Sequence, residues 1–314
     1  MTRAQTRCDM LLSPLFATLA LGCASGSCGT SPATPAPVHF DADRAWRDLE
    51  TLVSFGPRPI GTEALERTRA FIEAELAKVG YVVKREAFTA NTPKGQFEMA
   101  NVYADLPGKS DDVVLLVSHF DTKLFDFEFV GANDGASGTA VLLELARSMM
   151  MSGPRAVTYR FLFVDGEEAT RDFWGDKDHT YGSRHHAQQL VQRGVAERFK
   201  ACVLLDLVGD KDLHLLDEIY SDADLKRIFR DAARANGLGK YMDGRRQEAK
   251  DDHLEFMRVG IPSIDLIDFD YGPNNDYWHT AEDTIDKCSK ASLDAIGRIV
   301  LHGLHGLEQF ALDH

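Results

Sequence analysis

Short apolar runs alternate with longer amphipathic segments through most of this chain. Nearly continuous apolar runs of this length are typical of strands that are buried on both faces of a sheet. They occur at 113–117, 159–164, 203–207 and 264–267. Two further strand patterns, 81–88 and 99–106, are separated by Asn91, Pro93 and Gly95, and these turn residues predict an antiparallel pair.

Segments with helical periodicity lie between the predicted strands. Thr62 is a good cap for one of them and Gly80 is its stop signal. Buried strands that alternate with helices predict a single α/β domain with a mixed, mostly parallel central sheet flanked by helices on both faces. In such sheets, ligands bind beyond the carboxyl ends of the parallel strands. The predicted helices are 41–55, 62–79, 135–151, 183–193, 222–236 and 289–311.

The first residues have the composition of an export signal. Arg3 and Arg7 precede an apolar run that ends at Gly22, and Cys23 follows it as in a bacterial lipoprotein leader. We predict a leader over 1–22, a flexible tether over 23–40 and a catalytic α/β domain over 41–314. The expected location is periplasmic or extracellular, with a membrane tether if Cys23 is lipidated and none if the signal is an ordinary cleaved one.

Composition and charge narrow the range of partners. The formal net charge is −14, so the protein would repel phosphate backbones, and nucleic acid is not an expected partner. A cationic peptide N-terminus would instead be attracted. Beyond the tether the chain has only Cys202 and Cys288, so no disulfide framework is predicted. Cys202 lies in an apolar run and is expected to be a buried small side chain.

Metal-ligating side chains follow each of the predicted buried strands. One such residue is weak evidence, because a polar residue at a strand end is usually a satisfied cap. Several at the same edge of one sheet would converge on a single crevice, where buried carboxylates need a cation or shared protons. The sequence therefore predicts a metal centre at this edge. The residues are His119, Asp121, Asp134, Glu167, Glu168, Asp206 and His279.

The order of these motifs resembles the zinc aminopeptidases of the M28 clan, and within it the animal-type glutaminyl-peptide cyclotransferases. The resemblance extends from about Trp46 to the C-terminus. Its cyclase-like features are Trp174 in an insertion after the glutamates, Asp-Asp-His at 251–253 and Trp278 before the final histidine. The shared motifs are His-x-Asp at 119–121, Asn-Asp-Gly at 133–135, Glu-Glu at 167–168, Leu-Asp at 205–206 and His-Thr at 279–280.

The resemblance implies a zinc site made of Asp134, Glu168 and His279. Three protein ligands leave the fourth tetrahedral position open, as a catalytic zinc requires. Asp121 would lie outside the ligand set, near His119. The fold implied is that of the M28 zinc peptidases, and the cofactor implied is one Zn²⁺ ion.

The resemblance also assigns roles in catalysis. Glu167 matches the catalytic acid and base, and Asp206 and Asp251 match buried acids that share protons with it. Trp174 and Trp278 match the aromatic walls of the substrate pocket, whereas Lys250 stands where the animal enzymes have glutamine. The implied reaction converts the N-terminal glutamine of peptides or proteins to pyroglutamate and releases ammonia.

Two other functions remain open from the sequence. The segment 131–138 is closer to the peptidase form of its motif, and Ser118 and Thr139 replace a disulfide of the animal cyclases. His119 and Asp206, with Asp121 nearby, would hold a second metal ion in a two-zinc M28 aminopeptidase. A non-catalytic surface binding module is the third reading, although the retention of Glu167 and every ligand argues against it.

Overall fold

The computed structural model describes residues 39–175 and 177–314. The predicted leader and most of the predicted tether lie outside these residues, so export and lipidation stay predictions. Phe40, the last residue of the predicted tether, is buried. A Cβ atom at Gly297 would clash with the Phe40 ring, so the packed domain includes the ring of Phe40. Within the described residues, no helix is both long and apolar enough to cross a membrane.

Helices and strands alternate as the apolar pattern predicts. The helices are α1 (Ala42–Ser54), α2 (Glu63–Lys78), α3 (Ala136–Met151), α4 (Tyr181–Gln192), α5 (Ala223–Ala235), α6 (His253–Met257) and α7 (Lys290–Asp313). The strands are β1 (Val83–Thr92), β2 (Gly95–Leu106), β3 (Val113–His119), β4 (Thr158–Val164), β5 (Phe199–Asp206), β6 (Asp217–Glu218), β7 (Arg246–Gln247) and β8 (Ser263–Ile267).

The central sheet has six strands in the order β1-β2-β4-β3-β5-β8. β1 and β2 form an antiparallel hairpin, and β2 pairs antiparallel with β4. The β3–β4, β3–β5 and β5–β8 pairs are all parallel. The predicted single α/β domain with a mixed, mostly parallel sheet is therefore confirmed. Because four neighbouring strands run in the same direction, their carboxyl ends meet at one edge.

Both faces of the sheet are covered by helices. Val114 and Leu116 face a large core that also contains apolar residues of α1, α2, α3, α5 and α7. Leu115 and Val117 face a second core with residues of α4 and α6. This alternation follows from the two-residue period of a strand, and it explains why β3 is apolar at successive positions. Cys202 is fully buried in the second core, as its apolar context predicts.

The structure extends some predicted elements and adds short ones. The predicted antiparallel pair is a longer hairpin, with Thr92 paired to Gly95, so the predicted turn around Pro93 shrinks to two residues. β6 and β7 contain two residues each, and α6 contains five. Elements this short have no periodicity to detect, and we did not predict them. They nevertheless bear on the site, because β7 and α6 flank Asp251.

Helix α3 approaches the sheet very closely where it starts. A Cβ atom at Gly138 would clash with the carbonyl of Leu205 on β5 and with the hydroxyl of Ser118 on β3. The Leu205 carbonyl is backbone of the sheet, so it cannot move without shifting a strand. The absence of a side chain at Gly138 thus lets the start of α3 lie against the strands that carry His119 and Asp206.

We expect Gly138→Ala to lower the free energy of unfolding by about 1–3 kcal/mol, because the added methyl group overpacks this contact. Urea denaturation followed by circular dichroism measures the change. Gly175→Ala is the matched control, since a Cβ atom there would meet nothing within 4 Å. An equal and small effect of both substitutions would contradict the close packing described for α3.

Candidate active site

The carboxyl ends of the parallel strands deliver the predicted residues to one pocket. His119 ends β3 and Asp206 ends β5, while Glu167 and Glu168 lie just after β4. The loops before α3 and after β8 supply the remaining donors. A pocket of about 240 Å³ opens between them. It is lined by Asp134, Glu167, Glu168, Trp174, Asp206, Glu248, Ala249, Lys250, Asp251, Ile267, Phe269, Trp278 and His279.

Two groups of metal-binding atoms meet at Asp134. One consists of Asp134, Glu168 and His279, and the other of His119, Asp134 and Asp206, each with ligand atoms within 4.8 Å of one another. Asp134 Oδ1 lies 3.3 Å from His119 Nε2, and Asp134 Oδ2 lies 3.4 Å from His279 Nε2. One carboxylate therefore faces both groups, each through a different oxygen.

The other contacts within the two groups are as short. His279 Nε2 lies 3.1 Å from Glu168 Oε1, and His119 Nε2 lies 3.1 Å from Asp206 Oδ1. Glu168 Oε2 and His119 Nδ1 are buried and have no hydrogen-bond partner among the described residues. Glu168 Oε2 has Lys123 Nζ 3.8 Å away as an ion-pair partner. Carboxylates and one imidazole, with a buried oxygen that accepts no hydrogen bond, are a donor set that fits a divalent ion such as zinc. The structure thus brings together the three residues predicted as zinc ligands.

Asp121 supports the backbone of both glutamates. Its Oδ1 accepts a hydrogen bond from the Glu167 amide at 3.1 Å, and its Oδ2 accepts one from the Glu168 amide at 3.2 Å. Oδ1 also lies 3.5 Å from His119 Nδ1, so Asp121 has the place near His119 that we predicted. The contact with the Glu-Glu backbone was not predicted, because nothing in the local sequence reveals it.

Asp283 supports the backbone of the loop that carries Asp134, and it was not predicted from the sequence. Its carboxylate accepts hydrogen bonds from the amides of Asn133 at 2.8 Å and Asp134 at 3.1 Å, and from the Tyr271 hydroxyl at 2.8 Å. Burial, followed by the charge of Asp134, raises the pKa of Asp283 to about 7. The only sequence signal is an acid four residues after His279.

Arg58 is a fully buried cation beneath the site. Its guanidinium donates hydrogen bonds to the carbonyls of Phe120 at 3.1 Å, Val130 at 2.7 Å and Gly131 at 3.0 Å. Burial lowers the pKa of Arg58 to about 10, and the nearby charges of acids that include Asp283 oppose this shift. This residue ties the loop after His119 to the loop before Asp134, a contact for which the sequence carries no signal.

The predicted catalytic acids form a buried cluster beside the donor set. Glu167, Asp206 and Asp251 line the same pocket. Burial raises the pKa of Glu167 well above its usual range; the charge of His119 opposes this shift, and that of Asp251 adds to it. Burial and the charge of Asp206 likewise raise the pKa of Asp251. The ionised forms of Glu167 and Asp251 are therefore disfavoured together, as expected for like charges at close range.

The cluster contains two buried acids that sequence analysis did not assign. Burial raises the pKa of Asp252 to about 7. Asp265 lies within β8, and neither of its oxygens has a hydrogen-bond partner in the described chain. Burial and the charge of Asp251 raise the pKa of Asp265. An acid inside an apolar run was the available signal for this residue.

Aromatic rings surround the metal-binding atoms. Trp278 stacks on His279 with ring centroids 3.9 Å apart, and Phe125 and Phe129 contact His279 edge-on at 5.6 and 5.9 Å. Trp174 lines the pocket, where it stacks on the ring of His179 at 4.2 Å. Both predicted tryptophans therefore lie in the pocket, while the two phenylalanines were not predicted.

The backbone is strained at two points of the site. His279 has φ 57°, and Leu207, next to Asp206, has φ 48°. Left-handed φ values are costly for residues other than glycine and persist only where surrounding contacts enforce them. At Leu207 the amide donates to Asp206 Oδ1 at 2.8 Å, so the turn also fixes the Asp206 carboxylate.

The same residues identify the family. A profile of peptidase family M28 matches residues 101–304, which include the whole donor set. The chain belongs to peptidase family M28. Within this family, a glutaminyl-peptide cyclotransferase-like protein from Mus musculus is 32% identical over 272 residues, 77% of this chain and 70% of that protein.

Solved structures in the M28 family have the same fold. The crystal structure of an Acidobacteriales bacterium glutaminyl cyclase gives a TM-score of 0.84 at 36% identity, and covers 89% of this chain and 98% of its own. A Zn-dependent exopeptidase from Parabacteroides distasonis gives a TM-score of 0.77 at 27% identity, and covers 85% of this chain and 98% of its own. The predicted resemblance to glutaminyl cyclases of the M28 clan is thus confirmed.

We expect Asp283→Asn to weaken zinc binding by about 10- to 100-fold, because one backbone amide of the Asp134 loop would then face an NH₂ group. Competition with a chromophoric chelator measures the affinity of zinc-loaded protein. Asp286→Asn changes a neighbouring exposed acid and serves as the control. Unchanged zinc affinity in Asp283→Asn would show that Asp283 does not position the Asp134 loop for metal.

Proposed function

We propose that this protein is a zinc-dependent glutaminyl-peptide cyclotransferase, which converts N-terminal glutamine of peptides to pyroglutamate and releases ammonia. The observation that carries the proposal is one pocket that joins three features. It contains a metal donor set, the buried acids Glu167 and Asp251 lie beside this set, and Trp174 and Trp278 line the pocket. The glutaminyl-peptide cyclotransferase relatives support the same reaction.

We assign zinc to Asp134, Glu168 and His279, whose donor atoms fit it. When bound there, zinc supplies Lewis acidity that polarises the side-chain amide carbonyl of the substrate glutamine. Trp278 and Phe125 fix the His279 ring from two sides, so this ligand is held in place before substrate arrives. Asp121 and Asp283 hold the backbone of the carboxylate ligands.

Substrate recognition follows from the charge and shape of the pocket. Several acids, including Asp206 and Glu248, line it, and they attract the α-ammonium group of a peptide. The faces of Trp174 and Trp278 provide apolar walls for the methylene groups of the glutamine side chain. Together they orient the α-nitrogen and the side-chain carbon within one cavity, and this orientation supplies much of the rate of an intramolecular reaction.

Glu167 moves the proton. The α-ammonium group first loses one proton to solvent, and the freed nitrogen pair attacks the side-chain amide carbon while the Glu167 carboxylate accepts a second proton from the attacking nitrogen. The bond from that carbon to the amide nitrogen breaks, and Glu167 returns the proton to this nitrogen, which leaves as ammonia. Burial and the charge of Asp251 raise the pKa of Glu167, and this makes its carboxylate a stronger base than that of an exposed glutamate.

Asp206 and Asp251 are the other two acids of this buried cluster. Burial and the charge of Asp206 raise the pKa of Asp251 and so favour its neutral form. A neutral carboxyl group can donate a hydrogen bond to a neighbouring anion, so it limits the charge that accumulates when Glu167 is ionised. We therefore assign both residues a role in tuning Glu167.

A second candidate function is a two-zinc aminopeptidase. The second group of ligand atoms, His119, Asp134 and Asp206, favours it, because Asp134 can bridge two ions. In that reaction Glu167 would activate a water molecule, and the product would be a free N-terminal residue. The Zn-dependent exopeptidase from Parabacteroides distasonis has the same fold. The third reading, a binding module, predicts neither product.

We expect purified protein with one equivalent of zinc to release ammonia from a Gln-initiated peptide and to leave leucine amide intact. Glu167→Gln keeps the shape of the side chain but removes its proton acceptor, so it should lower kcat about 10²- to 10⁴-fold. Ammonia release and mass spectrometry measure both reactions, and circular dichroism and zinc content confirm folding. Normal cyclisation by Glu167→Gln would refute the role given to Glu167, and release of leucine would favour the peptidase.

The number of zinc ions provides a separate test. We expect wild type and His119→Ala each to retain about one zinc per chain, and Glu168→Ala to retain almost none, because Glu168 belongs to the assigned triad. Elemental analysis after dialysis measures the ratio. Two zinc ions in wild type and one in His119→Ala would instead indicate the two-metal enzyme.

A further inference from the structure

The segment that leads into Asp251 runs from the surface to the floor of the pocket. Asp251 and Ala249 are buried, whereas Glu248 and Lys250 are exposed, and all four line the pocket. The two exposed side chains therefore belong to its mouth, and the buried carboxyl group of Asp251 lies deeper. A peptide whose first residue occupies the pocket must leave through this mouth, next to Glu248 and Lys250.

A buried acid holds this segment in place. Glu218 is fully buried, and its Oε1 accepts a hydrogen bond from the Ala249 amide at 3.2 Å. Its Oε2 accepts hydrogen bonds from the amide and hydroxyl of Ser221 at 2.7 and 2.8 Å. Directly after β6, the Ile219 amide donates a hydrogen bond to the Gln247 carbonyl of β7 at 3.1 Å. These hydrogen bonds thus fix the backbone of the segment that carries Lys250.

The two charges at the mouth differ in their availability. Glu248 accepts a hydrogen bond from the Tyr220 hydroxyl at 2.9 Å, so its carboxylate already has a partner. Lys250 is the single lysine or arginine among the lining residues. Within residues 39–175 and 177–314, no salt bridge involves Lys250. With respect to the described residues, its ammonium group is therefore an unpaired cation at the exit of a pocket whose other charges are mostly negative.

We propose that Lys250 is a specificity-determining residue that selects peptides with an acidic residue directly after the N-terminal glutamine. This inference rests on the proposed function, since it places the glutamine at the metal-binding end of the pocket. The second side chain then lies at the mouth, where Lys250 offers a cation to a carboxylate. A basic side chain at that position would meet Lys250 as a like charge.

The test compares the cyclisation of three peptides, Gln-Glu-Ala, Gln-Gln-Ala and Gln-Lys-Ala, by zinc-loaded protein at fixed ionic strength. We expect kcat/KM to fall in that order for wild type. Lys250→Gln should lower kcat/KM for the acidic peptide about two- to five-fold, the range of an exposed ion pair, and leave the neutral peptide unchanged. The change should appear in KM and not in kcat, because Lys250 contacts only the bound peptide.

Two further variants sharpen the result. Lys250→Glu should reverse the order and favour the basic peptide. Lys109→Gln removes the same charge from the exposed residue after β2, at the opposite edge of the sheet, and should keep the wild-type order. If Lys250→Gln keeps the preference for the acidic peptide, or slows all three peptides equally, the proposal is overturned while the cyclase function stands. If wild type releases no ammonia from any of the three, both are overturned.

Discussion

The concentration of carboxylates at the carboxyl edge of the sheet is the constraint on which this structure depends. Five acids that line the pocket are buried there, within reach of only a few cations. Uncompensated, such a group of charges would oppose folding strongly. Three kinds of compensation are visible: ligand geometry for a divalent ion, backbone amides aimed at carboxylates, and protons retained by the innermost acids. The loops around the site are arranged to provide them.

The type of compensation determines what each acid can do. Asp121 and Asp283 accept backbone amides, so their carboxylates serve to fix the loops that carry Glu167, Glu168 and Asp134. Burial and the charges of neighbouring acids raise the pKa of Asp251, which favours its neutral form. Residues of the same chemical type thus become supports or proton carriers according to the number of donors that reach them. This division of roles is the basis of the mechanism proposed for Glu167.

The sequence was enough to predict the parallel strands and the residues at their ends. Strand ends of one sheet converge by geometry, so His119 and Asp206 could be placed together without knowledge of the loops. Asp283 and Arg58 could not be predicted, because their partners are backbone groups distant in the chain, which carry no sequence signal. Asp265 is a different case: its position inside an apolar run was a signal, but its role could not be assigned because α6 and β6, which pack against it, are too short to show periodicity.

The position of Asp134 between two sets of donors has a consequence for how reaction types diverge on this fold. Because each Asp134 oxygen lies close to a different histidine, the protein can bind the first ion without binding a second. The other ligands of the neighbouring position would be His119 and Asp206. A few changes around those two side chains would be sufficient to exchange internal ring closure for attack by water, with the scaffold left intact.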